Sequence, residues 1–181
     1  MHKNFLLCIR AGYLIAICLL SLSVFPSCSG NPPDTSLIQI KDGLICTIYN
    51  GKPYTGKVSD VINQQKVEYD VVKGIKDGNF NVFSEQGIKV ISGEMRNNKN
   101  EGLWQYFYPG GQLESQGYFK NDNLNYKWYW YFPDGKLKTT GEYLNGKKYG
   151  KWTDYDESGK VISEEVYRNN EVVANMKDLS A

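Results

Sequence analysis

Two regimes of apolar and polar positions divide the chain. Ala11 to Phe25 is almost continuously apolar, whereas beyond about residue 44 short aromatic-rich runs alternate with polar turn clusters. Trp104 to Tyr108 and Trp128 to Phe132 have strand length and the ring-bearing side chains that suit a pleated surface. They end at Pro109-Gly110-Gly111 and Pro133-Asp134-Gly135, and their counterparts end at Glu85-Gln86-Gly87 and Glu157-Ser158-Gly159, all turn chemistry. A return run such as Leu137 to Leu144 ends at Asn145-Gly146, a tight-turn dipeptide. Asn97-Asn98, Asn121-Asp122 and Asn169-Asn170 occupy the same place and tolerate positive φ. No window beyond the first residues keeps a helical period. The pattern predicts an all-β, single-layer antiparallel meander of about five stacked hairpins.

The hairpins recur every 24 residues. Gly78, Gly102, Tyr126 and Gly150 keep that step, as do Phe80, Trp104, Trp128 and Trp152 two residues on. Phe83, Phe107, Tyr131 and Tyr155 follow, then the turn glycines Gly87, Gly111, Gly135 and Gly159. A second glycine column, Gly93, Gly117 and Gly141, ends in Glu165. Trp104, Trp128, Trp152 and the turn glycines are therefore read as structural. The Trp column and the column three residues later have opposite parity, so an unbroken strand would point them to opposite faces. A bulge that realigns them and partial cover on both faces are the two ways out. Such units bury apolar surface only against neighbours, so the array needs capped ends. Leu37 to Tyr49 is expected to cap the front, the array to span 37–172, and 173–181 to form a C-terminal cap or tail.

The leader changes the picture of where the protein works. Lys3 and Arg10 precede the 15-residue apolar run, which is short for a membrane span. Pro26-Ser27-Cys28 follows, resembling a bacterial lipoprotein signal that is cut before the cysteine, whose thiol takes a diacylglycerol. Residues 1–27 are then a signal peptide and 28–36, polar and Pro-rich, a lipidated tether. The expected partner of Cys28 is a membrane, through acyl chains. The expected location is the periplasm or outer membrane of a Gram-negative bacterium. Cys8 and Cys18 leave with the leader, so Cys46 is the one remaining thiol of the exported chain and reads as a small buried hydrophobe.

Charge and composition remove whole classes of function. The formal charge is +1, from 21 basic and 20 acidic side chains, without the basic excess of a nucleic-acid binder. The single histidine, His2, lies in the leader, which removes imidazole-dependent nucleophiles and metal sites from the rest of the chain. No enzyme motif and no cofactor motif is found.

Two constellations remain. Asp154, Asp156, Ser158 and Glu165 match the spacing of a Ca²⁺ loop, but the flanks are strands rather than helices and Gly159 is already a turn glycine. A hairpin turn is the preferred reading. Tyr106, Tyr108, Tyr129, Trp130 and Phe132 are aromatics in columns that vary between units. They form a candidate binding surface for a sugar or peptide, because rings concentrate where recognition happens. Trp130 aligns with Val82, Tyr106 and Asp154, so the fold is expected to tolerate its removal.

Gly141-Glu142-Tyr143-Leu144-Asn145-Gly146-Lys147-Lys148-Tyr149-Gly150-Lys151-Trp152 resembles the bacterial variant of the MORN repeat, with further copies at Gly102 to Gly117 and Tyr126 to Gly141. The resemblance covers about residues 44–172. It implies a curved or twisted single-layer sheet of stacked hairpins and, weakly, a binding role. The phosphoinositide contacts linked to eukaryotic repeats are not carried over, because Trp104, Trp128 and Trp152 stand where those repeats have a second glycine. Some bacterial variants are labelled antitoxin-like. The functional expectation is a lipid-anchored, non-enzymatic scaffold that binds an envelope protein or a glycan, with an antitoxin or immunity role as the alternative.

Overall fold

The computed structural model describes residues 37–175, so Cys28, the signal peptide, the tether and residues 176–181 lie outside the described residues. A two-stranded hairpin, β1 (Ile38–Lys41) and β2 (Leu44–Thr47), precedes an eleven-stranded antiparallel sheet. That sheet runs in strict sequence order through β3 (Gly56–Ile62), β4 (Gln65–Val72), β5 (Ile75–Phe83), β6 (Lys89–Arg96), β7 (Lys99–Phe107) and β8 (Leu113–Lys120). It continues through β9 (Asn123–Tyr131), β10 (Leu137–Leu144), β11 (Lys147–Tyr155), β12 (Val161–Arg168) and β13 (Glu171–Asn175). Strand β13 crosses the expected boundary at residue 172, because its pairing with β12 persists to Glu165↔Asn175.

Two turn types alternate. At one end of the hairpins the N–H of Gly87, Gly111, Gly135 or Gly159 donates to the carbonyl three residues earlier, and each glycine sits at φ between 78° and 87°. A side chain there would be strained, which explains the glycine column. At the other end two successive residues take positive φ, as at Asn97-Asn98 (51°, 61°) and Asn121-Asp122 (49°, 67°). This is the mirror-image turn whose twist matches antiparallel strands. Its second residue also stitches units together: Asn98, Asp122 and Asn170 accept, through Oδ1, the N–H of Lys76, Asn100 and Lys148 one unit back.

Each unit carries two bulges. One adds two residues to the outgoing strand around Gly78, Gly102, Tyr126 and Gly150, all at positive φ. Tyr126, at φ 60°, holds a left-handed conformation that its counterparts assign to glycine. The other bulge adds Val90, Glu114, Lys138 or Ile162 to the return strand. Because that second bulge lies on the partner strand, it leaves the parity of the outgoing strand intact. The Trp column and the Phe83, Phe107, Tyr131, Tyr155 column therefore face opposite sides. Gln116, between the Trp-face residues Ser115 and Gly117, donates from Nε2 to the Tyr131 hydroxyl on the reverse face.

No second layer of described residues covers the sheet, so the Trp face makes its own core. The indoles of Trp104, Trp128 and Trp152 lie flat on Gly93, Gly117 and Gly141, where a Cβ would overlap the rings. Each indole N–H donates to a return-strand carbonyl, that of Glu94, Tyr118 or Glu142. The three Trp are 5%, 3% and 7% exposed in a sheet with little else buried. At the front, β2 brings Ile45 against Val58 and Val71, and Ile45 N–H donates to the Gly74 carbonyl at 2.9 Å. Cys46 is buried beside it.

Candidate functional site

Along the Trp face the rings touch in an unbroken ladder. Centroids of Tyr69 and Phe80 are 6.3 Å apart, Phe80 and Trp104 5.6 Å, Trp104 and Phe119 5.6 Å, and Phe119 and Trp128 5.4 Å. The ladder goes on through Tyr143 to Trp152 (5.1 Å) and Tyr167 (5.9 Å). After one stacked and one tilted contact, the remaining contacts of the ladder are edge-on, an arrangement that suits ring quadrupoles. A lysine closes each end, and both belong to one column of the repeat. Lys76 Nζ stands 4.5 Å from the Tyr69 centroid, and Lys148 Nζ stands 4.0 Å from Trp152 and 4.5 Å from Tyr167. Burial lowers the Lys76 pKa and raises that of Tyr69 to about 12, with Asp60 adding to the rise.

The ladder opens into a cleft of about 370 Å³ over the last three units. Trp130 and Trp152 form its floor, with centroids 5.5 Å apart and planes tilted by 35°. Tyr108 and Tyr167 flank them, and Thr139, Asp154 and Ser163 form a polar row beside Trp130. Register explains the row, since Trp130 pairs with Thr139, Thr139 with Asp154, and Asp154 with Ser163 across four neighbouring strands. Glu114 and Lys138 reach the cleft because each is the extra residue of a bulge, which turns it toward the Trp face. Glu165 and Lys148 complete the rim.

The five aromatics of the candidate surface do not form one platform. Tyr106 packs on Trp128 at 6.3 Å, and Trp130 lies between Trp128 (6.0 Å) and Trp152 (5.5 Å). Tyr108 donates its hydroxyl to the Tyr131 carbonyl at 2.7 Å and faces the same cleft. Phe132 stands at the turn under the Lys138 ammonium, 5.7 Å from its ring. Tyr129 pairs with Gln116 and Thr140 in the reverse-face row and takes no part in the cleft. Trp130 is also more firmly held than its variable column implies, with Trp128, Tyr143 and Trp152 all against it.

The Ca²⁺-loop residues do not converge. Asp156 Oδ1 accepts from the N–H and hydroxyl of Ser158 and the N–H of Lys160, bonds that close the turn and hold its carboxyl below the usual range. Asp154 instead accepts from the Thr139 hydroxyl at 2.7 Å, and Glu165 from the Tyr167 hydroxyl at 2.6 Å. That last bond, ahead of burial and nearby charge, pushes the Tyr167 pKa up to about 12. Among the described residues no group of three or more His, Cys, Asp or Glu side chains is placed to hold a metal ion.

Three of the units that build the cleft have a known relative. Residues 100–121, 125–145 and 148–169 match the MORN repeat variant. The MORN repeat variant match begins within β7 and ends within the turn after β12, so it contains every cleft residue named above. No curated protein matches the chain. Solved structures similar to it include TarM (15% identity, TM-score 0.37, 57% of this chain and 20% of that one). Another is a mutant of S. aureus TarM in complex with Fondaparinux, alpha-GlcNAc-glycerol and UDP (14% identity, TM-score 0.38, 56% and 20%). The chain spans about a fifth of the length of those proteins.

Sequence reasoning missed Thr139, Ser163, Glu114, Lys138 and Lys148, because it sought rings alone. A signal was present. The column Ile91, Ser115, Thr139, Ser163 turns from a branched apolar residue to small hydroxyls in the units where the facing column gains Tyr106, Trp130 and Asp154.

Proposed function

We propose that this protein is a non-enzymatic binding scaffold, held at the cell envelope by acyl chains on Cys28, and that the cleft over Trp130 and Trp152 is its binding site. One observation carries the reading. Apart from Trp152 and Tyr167, which belong to the recurring ring columns, the cleft side chains named above come from columns of the repeat that vary between units. A solvent-open concavity with ring-bearing floor and convergent polar groups is the usual form of a recognition site. Two of the three cleft carboxylates, Asp154 and Glu165, are engaged with Thr139 and Tyr167, and no histidine follows His2, which supports binding rather than turnover.

The test uses full-length protein recovered from detergent-solubilised membranes. Asp154→Val with Ser163→Ile restores the fillers found at Val82 and Ile91 in the first unit. Envelope material held by the wild type and lost from this double variant supports the reading. The same material on both proteins removes the cleft from it. Fractionation of Cys28→Ala checks the anchor, since a variant that stays membrane-bound after signal cleavage refutes acyl attachment.

A further inference from the structure

We propose, resting on that scaffold reading, that the cleft receives a neutral, polyhydroxylated sugar ring rather than a peptide or an ionic ligand. Trp130 is half-buried and presents the open indole face of the floor, beside Trp152, which is 7% exposed and covered by the Lys148 ammonium. That face carries partial negative charge, which suits the C–H side of a pyranose ring. The rim supplies what the hydroxyl edge of such a ring needs, acceptors and donors side by side. Asp154 and Glu165 each keep acceptor capacity after the bond from Thr139 or Tyr167, since a carboxylate has about four lone-pair sites. Lys138 and Lys148 supply donors.

The charges disfavour the rivals. Glu114, Asp154 and Glu165 oppose Lys138 and Lys148 around one cleft, yet none of the five is ion-paired with another. Three carboxylates against two ammoniums leave almost no net field to hold a strongly charged ligand. An apolar peptide would lay apolar side chains over five charges and could answer them only through its backbone N–H and C=O groups. A cationic ligand would seek the ring faces of Trp152 and Tyr167, but Lys148 already occupies that seat. Hydroxyl groups both donate and accept, so a neutral sugar satisfies both signs of rim group at once. At about 370 Å³ the cleft lies at the lower end of the about 300–1,000 Å³ of small-ligand sites.

Full-length protein in detergent is titrated with cellotetraose, maltotetraose, chitotetraose and mannotetraose, following Trp emission and binding heat. At least one should bind with a Kd between about 1 μM and 1 mM and change the emission. Trp130→Ala should weaken it by about 30-fold, as expected for a ring that anchors a contact. Asp154→Asn, which keeps an acceptor for Thr139 and so leaves the fold intact, should weaken it by about 10-fold. Failure of all four sugars at about 10 mM overturns the inference. So does sugar binding that Asp154→Asn and Asp154→Val with Ser163→Ile leave unchanged. A protein partner lost from that double variant, with no sugar bound by the wild type, overturns the sugar while leaving the scaffold reading standing.

Discussion

The two halves of the sheet put one backbone to different uses. In the first half the row beside the ring ladder is Val67, Val82 and Ile91, directly paired across β4, β5 and β6. Val67 and Val82 are 8% and 5% exposed, and the row is filled. In the second half the same row reads Trp130, Thr139, Asp154 and Ser163, and a cleft lies over it. Turns, bulges and stacked rings hardly differ between the halves. In an array where each unit touches only its neighbours, a column can therefore change chemistry locally without disturbing the others. The Gly and Trp columns hold the sheet, and the columns two residues away decide what it can bind.

The strongest way to break the comparison is to attack what both halves share. Gly117→Ala should destabilise the sheet by about 3 kcal/mol, because the new Cβ overlaps the Trp128 indole and that indole is tied to the Tyr118 carbonyl. Trp128→Ala should cost about 3–5 kcal/mol. Gly135→Ala, with nothing within 4 Å of the added carbon, should cost only the strain of φ 85°, about 1 kcal/mol. Urea unfolding measures all three, and equal midpoints for Gly117→Ala and Gly135→Ala would show that the indole does not rest on the strand.

Next in size is the residue that separates the halves. Trp130 is half-buried against three rings, so Trp130→Ala should cost about 2 kcal/mol, below the figure for Trp128 and above that of a free surface ring. Filling the cleft sharpens the contrast. Asp154→Val with Ser163→Ile should leave stability within about 1 kcal/mol of the wild type, the added apolar burial offsetting the lost Thr139 bond, while abolishing ligand binding. Thermal unfolding beside a binding titration reads both quantities.

Smaller still is the effect at Tyr126. Tyr126→Gly removes a whole aromatic side chain and its edge-on contact with Tyr118 at 6.3 Å, yet relieves a left-handed backbone. The two nearly cancel, and unfolding should shift by less than about 1 kcal/mol. Last come the tyrosines at the two ends of the ladder. Tyr69 and Tyr167 both titrate near 12 in the folded protein instead of 10.0, the first through burial and the second through Glu165. Each is protonated in the fold where the unfolded chain would lose its proton. Their stabilising effect is therefore complete below pH 10 and falls as pH rises from 10 toward 12. Glu165→Gln should bring Tyr167 back toward 10 and leave Tyr69 in place, visible as one added transition in tyrosinate absorbance.

Most of the architecture was legible in the chain. The 24-residue period, the Asn-Gly and Gly turns and the recurring Trp suffice for an antiparallel meander, because each is a local rule and the repeat applies it four times. Half of the candidate site was legible too, since Trp130, Tyr106 and Tyr108 stood out as rings in variable columns. Tyr129 misled for a physical reason: adjacent residues on a strand point to opposite faces, so closeness in sequence separates it from Trp130.

By itself the sequence determined the hairpins, their order and the columns that repeat, because turn geometry and strand period are written within about ten neighbouring residues. Only the tertiary structure decided which columns share a face and where that face opens. Cross-strand register sets Trp130 beside Thr139 and Asp154 beside Ser163, and two bulges turn Glu114 and Lys138 toward them. A one-residue slip in any of these pairings would send the side chains to the other side of the sheet, and no local pattern states the slip.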